Sequence, residues 1–213
     1  MPNILIGCEE SGALRRAFQA QGFTNVYSND IEPASDGEVD YHIEGDVFAA
    51  IAQGPTCTSL PDQKWDLIIL HPPCDAMALC GNRWYAKGKP GYHERVAAWQ
   101  WTVKLWNAAC EACKHVAMEN PASTLFRHLK PNPVQYIQPW QFGDKEFKKT
   151  GFCLRGLPEL TYTDVLDPPV TPEERKKWEK VWRMPPGPEH KRLRSVTYPG
   201  IAAAIADQWG ALL

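Results

Sequence analysis

The feature that most constrains the fold of this chain is an apolar run followed by two prolines and a cysteine. Residues 67–70 read Leu-Ile-Ile-Leu, which is typical of a strand buried on both faces. Pro72 and Pro73 follow, and because proline cannot donate to a sheet ladder, the chain must leave the sheet at His71. The pattern therefore places Cys74 just past the carboxyl end of a buried strand, where open α/β sheets bind ligands.

Short apolar runs alternate with helical patterns through the first half of the chain. Besides 67–70, strands are predicted at 4–7, 24–28, 42–47 and 115–118, and helices at 13–22 and 94–114. This alternation predicts a mostly parallel α/β sheet with helices on both faces. Two more strands (134–138 and 151–154), a charged helix (172–181) and an apolar helix (201–209) complete the pattern. We expect one domain over residues 1–213, with a short irregular extension at 160–190.

Three chemically active side chains fall at the ends of predicted strands: Asp30, Cys74 and Glu119. Carboxyl ends of parallel strands share one sheet edge, so these groups can converge. Asp30 comes about twenty residues after a glycine turn, a spacing at which a carboxylate binds ribose hydroxyls. A thiol beside a carboxylate suits nucleophilic attack with acid assistance. The alternative is a small hydrophobic Cys74, but the rigid proline lead-in favours a positioned nucleophile.

Charge and cysteine content exclude several classes of function. The formal net charge is -2, so any nucleic-acid contact must come from a local basic patch. Seven scattered cysteines and no apparent leader predict reduced thiols in the cytoplasm. No apolar run approaches the roughly 18 residues that span a membrane. We expect no metal site, because Cys110-x-x-Cys113 has no second pair at ligand spacing.

Two short segments could supply the local basic patch. The first combines cations and aromatic rings suited to gripping phosphate and stacking a base: Arg83, Trp84, Tyr85 and Lys87. The second holds Arg192 and Arg194 near the end of the extension. Solvated surface charge is the alternative interpretation of both segments.

The order of motifs resembles that of the DNA cytosine-5 methyltransferases. His71-Pro72-Pro73-Cys74 resembles the prolyl-cysteine motif of that family, and Glu119-Asn120-Pro121 resembles its Glu-Asn motif. Residues 4–22 are similar to the first motif, residues 27–31 to the second, and 45–47 to the third. Lys148 and Lys149 stand where the family has arginines, and residues 194–204 resemble its closing helix. The closest pattern is the compact, phage-type branch, which implies a location in the host cytoplasm.

The resemblance implies a Rossmann-like, class I methyltransferase-type fold, DNA as substrate and S-adenosylmethionine as cofactor. The catalytic residues that it implies are Cys74, Glu119, Asn120, Lys148 and Lys149. The cofactor-binding residues that it implies are Glu9, Ser11, Gly12, Asp30, Ile31, Asp46, Val47, Pro72, Pro199 and Gly200. In this chemistry the thiolate adds to C6 of cytosine, and the ring then attacks an electrophile through C5.

The sequence departs from the family at two places. Glu10 stands where the first motif has a glycine, and a carboxylate there is expected to repel the carboxylate of S-adenosylmethionine. Only about forty residues near the extension stand in for a large target-recognition domain. These departures keep open a donor-independent hydroxylation or hydroxymethylation at C5, and a free pyrimidine nucleotide as substrate. A catalytically silent nucleic-acid-binding module is the remaining alternative. Oligomeric state is left open.

Overall fold

A computed structural model describes residues 1–55, 64–185 and 187–213. The sequence pattern leaves residues 53–64 as a loop between predicted elements, and most of that loop lies outside the described residues. The described strands form one sheet: β1 (Ile4–Gly7), β2 (Val26–Asp30), β3 (His42–Glu44), β4 (Leu67–Leu70), β5 (His115–Pro121), β6 (Val134–Ile137) and β7 (Thr150–Arg155). Their order is β3-β2-β1-β4-β5-β7-β6, and only β7 runs antiparallel to its neighbours. The expected mostly parallel sheet is confirmed.

Helices cover both faces of this sheet. The described helices are α1 (Ala13–Ala20), α2 (Val47–Gln53), α3 (Asn82–Tyr85), α4 (Tyr92–Ala112), α5 (Pro172–Lys177), α6 (Pro188–Ser195) and α7 (Pro199–Gly210). Alternate residues of β1 and β4 point to opposite faces. Ile4 and Ile69 pack with α1 and α7 in one core layer, whereas Leu5 and Ile68 pack with α2 and α4 in the other. No helix of the described chain is long and apolar enough to cross a membrane.

The third strand is shorter than its sequence pattern predicts. The pattern extends it to Val47, but β3 ends at Glu44 and Val47 begins α2. The cause is Asp46, whose Oδ1 accepts the backbone N–H of Ala49 at 3.0 Å and so caps the helix. Asp46 therefore starts a helix where the sequence pattern indicated the tip of a strand.

The segment after Cys74, to which the sequence pattern assigns no helix or strand before residue 94, is partly helical. It contains a 3₁₀ turn at Leu79–Gly81 and then α3. Buried Arg95 of α4 donates to the carbonyls of Ala76 (2.6 Å) and Ala78 (3.2 Å) and to Asn82 Oδ1 (2.7 Å). These bonds fix the segment against α4.

The second half of the chain also differs from its sequence pattern. α5 ends at Lys177, short of the predicted end at residue 181. The sequence pattern also missed α6, which follows α5. Between residues 160 and 185 the structure has no strand of the sheet, and an isolated bridge joins Phe142 to Asp164.

Candidate active site

The turn after β4 presents Cys74 at the edge of the sheet. The backbone N–H of His71 donates to Gly7 O (2.9 Å), which extends the pairing of β4 with β1 by one bond. The N–H groups of Met77 and Ala78 then donate to Cys74 O at 2.9 and 2.8 Å, closing a turn. Pro72 is buried, and Cys74 is partly buried at the start of this turn. The predicted position of Cys74 past the strand is observed.

Glu119 lies on the neighbouring strand, β5. Its side chain is 16% exposed, and its Oε2 is 3.7 Å from Nδ1 of His71. That distance is longer than an ordinary hydrogen bond, so the two side chains are close neighbours without a tight bond. The side chain of Thr150, opposite β5 on β7, also contacts the carboxyl. The tips of β4, β5 and β7 thus meet around Glu119.

Lys148 approaches Glu119 from the residues before β7. Its Nζ donates to the backbone oxygen of Arg194 at 2.6 Å and lies 3.5 Å from that of Val196. The same Nζ is 5.7 Å from the centre of the Tyr198 ring. A cleft forms between Glu119 and Lys148 on one side and Ser195, Thr197 and Tyr198 on the other. Lys148 therefore joins the sheet edge to the segment linking α6 and α7.

The charges of these side chains act on one another. The pKa of Cys74 is raised to about 11: burial is the largest cause, the carboxylates of Glu119 and Asp75 also raise it, and Arg194 and Lys148 partly offset the rise. Burial lowers the pKa of Lys148, against the opposing attraction of Glu119 and Cys74. Burial alone would raise the pKa of Glu119, but His71 and Lys148 outweigh it and the net shift is downward. His71 and Lys148 thus favour the ionised form of Glu119.

Asn120 is completely buried beside Glu119. Within the described residues, neither its Oδ1 nor its Nδ2 has a hydrogen-bond partner. A buried amide without partners is costly, so Asn120 is available to bind a ligand. Lys149, by contrast, is exposed, and its Nζ lies 4.7 Å from the centre of the Tyr136 ring. Adjacent lysines, both predicted as catalytic, therefore have different environments.

The turn between β1 and α1 contains a buried carboxylate. Glu9 is 6% exposed, and its Oε1 accepts hydrogen bonds from Ser11 Oγ (2.6 Å) and the backbone N–H of Ala13 (2.7 Å). Gly12 takes a left-handed conformation (φ 63°) at the start of α1. Glu10, which the sequence indicated as the altered position, is only partly buried. The carboxylate at the first turn of α1 is therefore that of Glu9.

The other predicted cofactor residues lie along the tips of β2 and β3 and at α7. Asp30 is partly exposed and its Oδ1 accepts the N–H of Glu32 (3.1 Å), while Ile31 is 75% exposed. Val47 is buried in α2. Pro199 begins α7, and the N–H of Gly200 donates to Asp144 Oδ2 (2.9 Å). A Cβ at Gly200 would lie 1.7 Å from Phe142 O, so backbone packing requires this glycine.

The two predicted basic segments differ in how their charges are used. Arg83 stacks over Trp84, which is 59% exposed, with 4.7 Å from its guanidinium carbon to the ring centre. Lys87 is exposed nearby, and Tyr85 packs against Gly81 and Gly91. Arg192 pairs with Glu189 at 2.7 and 2.9 Å. Arg194 is close enough to lower the pKa of Cys74.

Sequence reasoning gave no role to several residues that line this edge of the sheet. His71 stands inside the prolyl-cysteine motif, where its position before the prolines was a usable signal. Asn29, Thr150 and Tyr198 had no such signal, because their positions depend on how β2, β7 and α7 are arranged. Within the described residues, no group of three or more His, Cys, Asp or Glu is arranged to hold a metal ion.

Comparisons with known proteins identify the fold. No family model and no curated protein matches this chain. An E. coli prophage protein described as a DNA modification methyltransferase matches at 15% identity over 79% of this chain and 52% of that one, with TM-score 0.52. S. pombe Dnmt2 matches at 12% identity over 74% of this chain and 51% of that one, with TM-score 0.47. This chain spans about half the length of these two proteins. With the strand order, the first match shows the Rossmann-like fold of class I methyltransferases.

Proposed function

We propose that this protein modifies cytosine at C5 in DNA, with Cys74 as the covalent nucleophile. The observation that carries the proposal is the convergence of Cys74, Glu119 and Lys148 at one sheet edge, where each charge shifts the pKa of the others. Perturbed, mutually coupled groups of this kind are characteristic of active sites. The prophage protein with this fold is described as a DNA modification enzyme, which supports the same class of substrate.

The arrangement suits activation of a pyrimidine ring. C5 of cytosine is a weak nucleophile, and addition of the Cys74 thiolate to C6 converts the ring to an enamine-like carbanion that attacks the electrophile through C5. Loss of the C5 proton to a base and of the Cys74 thiolate from C6 then restores the ring. Glu119 binds the ring at N3, and Asn120, whose amide lacks partners, helps to shape the pocket. Lys148 and Arg194 supply the positive charge that favours the thiolate. Lys149 is exposed in the residue before β7, so it has no direct part in this activation.

The proposed donor is S-adenosylmethionine, which supplies an electrophilic methyl group. The residues that would hold it lie at the tips of β1, β2, β3 and β4: Glu9, Ser11, Gly12, Asp30, Ile31, Asp46, Val47 and Pro72, with Pro199 and Gly200 from α7. They fit the group in one testable respect. Oε2 of Glu9 is buried without a partner in the described structure, so an acceptor is available for a donor group of the cofactor.

DNA would contact the exposed aromatic and basic segment after Cys74. Trp84 and Arg83 form a stacked pair on the surface, with Lys87 close in sequence. Such a pair can stack a base and contact phosphate. A target cytosine in a duplex must leave the base stack at a cost of roughly a few kcal/mol. Arg192, already paired with Glu189, would contribute less than Arg194.

A donor-independent modification, hydroxylation or hydroxymethylation on DNA or on a free nucleotide, is the second candidate. It is favoured by the Glu9 carboxylate, which already occupies the first turn of α1. Both candidates use Cys74 and Glu119 in the same way. They differ in the electrophile that C5 attacks, which is the methyl group of S-adenosylmethionine in the first candidate. In the second it is an added one-carbon aldehyde for hydroxymethylation or an electrophilic oxygen from an added peroxide for hydroxylation.

Expression in a bacterial host tests the proposal. Nucleosides from host DNA and from the nucleotide pool are measured by mass spectrometry for wild type and for Cys74→Ala. We expect a C5-modified cytosine in DNA with wild type and none with Cys74→Ala. The mass of the product separates methylation from hydroxylation or hydroxymethylation. If wild type leaves cytosine unmodified in both fractions, the proposed function is wrong.

A further inference from the structure

Two neighbouring side chains at the tips of β1 and β2 leave buried oxygens without partners. Oε2 of Glu9 and Oδ1 of Asn29 are both buried and unpartnered within the described chain. The two residues are adjacent, because the backbone N–H of Glu9 donates to Asn29 O at 2.8 Å. Both atoms can only accept hydrogen bonds: Nδ2 of Asn29 already donates to the carbonyls of Ile43 (2.7 Å) and Gly45 (3.1 Å), which fixes the amide orientation.

The first turn of α1, which would ordinarily attract an anion, is already satisfied from within. Oε1 of Glu9 accepts the N–H of Ala13 (2.7 Å) and lies 3.4 Å from that of Leu14. The hydroxyl of Ser11 donates to the same oxygen at 2.6 Å. A phosphate or carboxylate brought here by a ligand would have to displace Glu9 and would meet its negative charge.

The surrounding charges are also negative. Asp30 and Asp46 lie close enough to Cys8 to add to the effect of burial on its pKa, which rises to about 12. The basic residues of α1 turn towards Asp36, with which Arg15 and Arg16 both pair, although Nη1 of Arg15 stays buried without a partner in the described chain. This end of the sheet therefore offers acceptors and negative charge to a ligand.

We propose that Glu9 and Asn29 form a subsite for a primary ammonium group, and that Glu9 excludes ligands presenting an anion to the first turn of α1. A charged ammonium has three donors and would supply the missing partners of both oxygens. The inference deepens the proposed function, because S-adenosylmethionine carries an ammonium on its amino-acid part. Its carboxylate is then held away from the start of α1.

Calorimetric binding to two probes tests the subsite. S-adenosylhomocysteine carries the amino-acid part, and 5′-methylthioadenosine is the same thioether nucleoside without it. Glu9→Gln keeps the Oε1 acceptor that caps α1 but replaces Oε2 with an amide donor. We expect it to weaken S-adenosylhomocysteine about tenfold or more, the typical effect of losing a charge-assisted hydrogen bond, and to leave methylthioadenosine unchanged.

Glu10→Gln is the matched control, because it removes a carboxylate from the next residue along the chain. The Glu10 side chain is only partly buried. We expect it to change either affinity less than about twofold, the usual scatter for an exposed charge. A measurement on wild type needs no variant: an S-adenosylhomocysteine analogue lacking the α-amine should bind about tenfold more weakly than the parent.

Several outcomes would overturn the subsite. Glu9→Gln could weaken the binding of both probes equally, or leave the affinity for S-adenosylhomocysteine unchanged. Wild type could bind the analogue lacking the amine as tightly as S-adenosylhomocysteine, or could bind neither probe. Formation of the Cys74 adduct with DNA containing 2-pyrimidinone, which needs no donor, is measured on the same preparations. An adduct without probe binding rejects the subsite alone, whereas probe binding without an adduct rejects the proposed function alone.

Discussion

Two cysteines that follow adjacent strands differ in their electrostatic surroundings. Cys8 follows β1 directly and Cys74 follows β4, and Gly7 and Leu70 are register partners where these strands end. Burial is the main cause of a raised pKa at both, to about 12 for Cys8 and about 11 for Cys74. Near Cys8 the further influences are the carboxylates of Asp30 and Asp46, whereas Cys74 also has Lys148 and Arg194.

A position at the end of a strand is therefore not enough to make a cysteine nucleophilic. A thiol among acids stays protonated, and the cations near Cys74 are what can favour its thiolate when a substrate displaces water. Cys8 also has a left-handed backbone (φ 59°), which is strained for a residue with a Cβ. The same row of strand ends thus divides into an acidic part at β1 to β3 and a mixed-charge part at β4 and β5.

Among the variants considered, removal of the Lys148 charge should cause the largest loss of activity. Lys148→Met leaves Glu119 and the Cys74 thiolate without their neighbouring ammonium. We expect the rate of cytosine modification to fall about a hundredfold, at the lower end of effects seen for acid–base groups. Rates are measured on an oligonucleotide by mass spectrometry.

Lys149→Met is the matched control, because Lys149 is exposed and contacts the Tyr136 ring. It should change the rate less than about threefold, as expected for a surface charge. Equal losses in the two variants would remove the distinction between the adjacent lysines.

A smaller effect is expected when the Glu119 charge is removed, and it concerns the pH at which Cys74 reacts with an alkylating agent. The thiolate is the reactive form, so alkylation of Cys74 should accelerate as pH rises towards about 11. After burial, Glu119 is the largest influence raising this pKa, so Glu119→Gln should move the alkylation profile to lower pH. Peptide mass mapping after iodoacetamide treatment gives the profile for each cysteine separately.

The profile of Cys8 is the internal reference in the same experiment. Its raised pKa comes from burial and from Asp30 and Asp46, not from Glu119. It should therefore stay in place in Glu119→Gln. A Cys74 profile that does not move, or that moves together with that of Cys8, would contradict the assigned cause.

The sequence was sufficient to predict the strands that position the site. β1 and β4 are continuous apolar runs, β5 contains one at residues 116–118, and proline stops β4 before Cys74, so local pattern and tertiary structure agree. Asp46 shows the limit of that approach. A strand tip and a helix cap have similar sequence patterns, and only the bond to Ala49 distinguishes them.

The side-chain environment of the site required the structure. Lys148 and Lys149 are adjacent in sequence, and Lys148 is partly buried because its Nζ meets carbonyls from residues nearly fifty positions away. The structure also shows that the side chain of Glu9, and not that of Glu10, turns towards α1. The first fact arises from long-range packing, and the second from how the turn after β1 orients two adjacent carboxylates.

The most direct test of the central claim is to identify the cysteine that becomes bonded to the pyrimidine. The protein is incubated with an oligonucleotide containing 2-pyrimidinone, digested, and its peptides are mapped by mass spectrometry, with Cys74→Ala and Cys8→Ala treated in parallel. We expect the peptide containing Cys74 to gain the mass of the bound nucleotide in wild type and in Cys8→Ala, and no adduct to form in Cys74→Ala. An adduct on Cys8, or one that persists in Cys74→Ala, would contradict it.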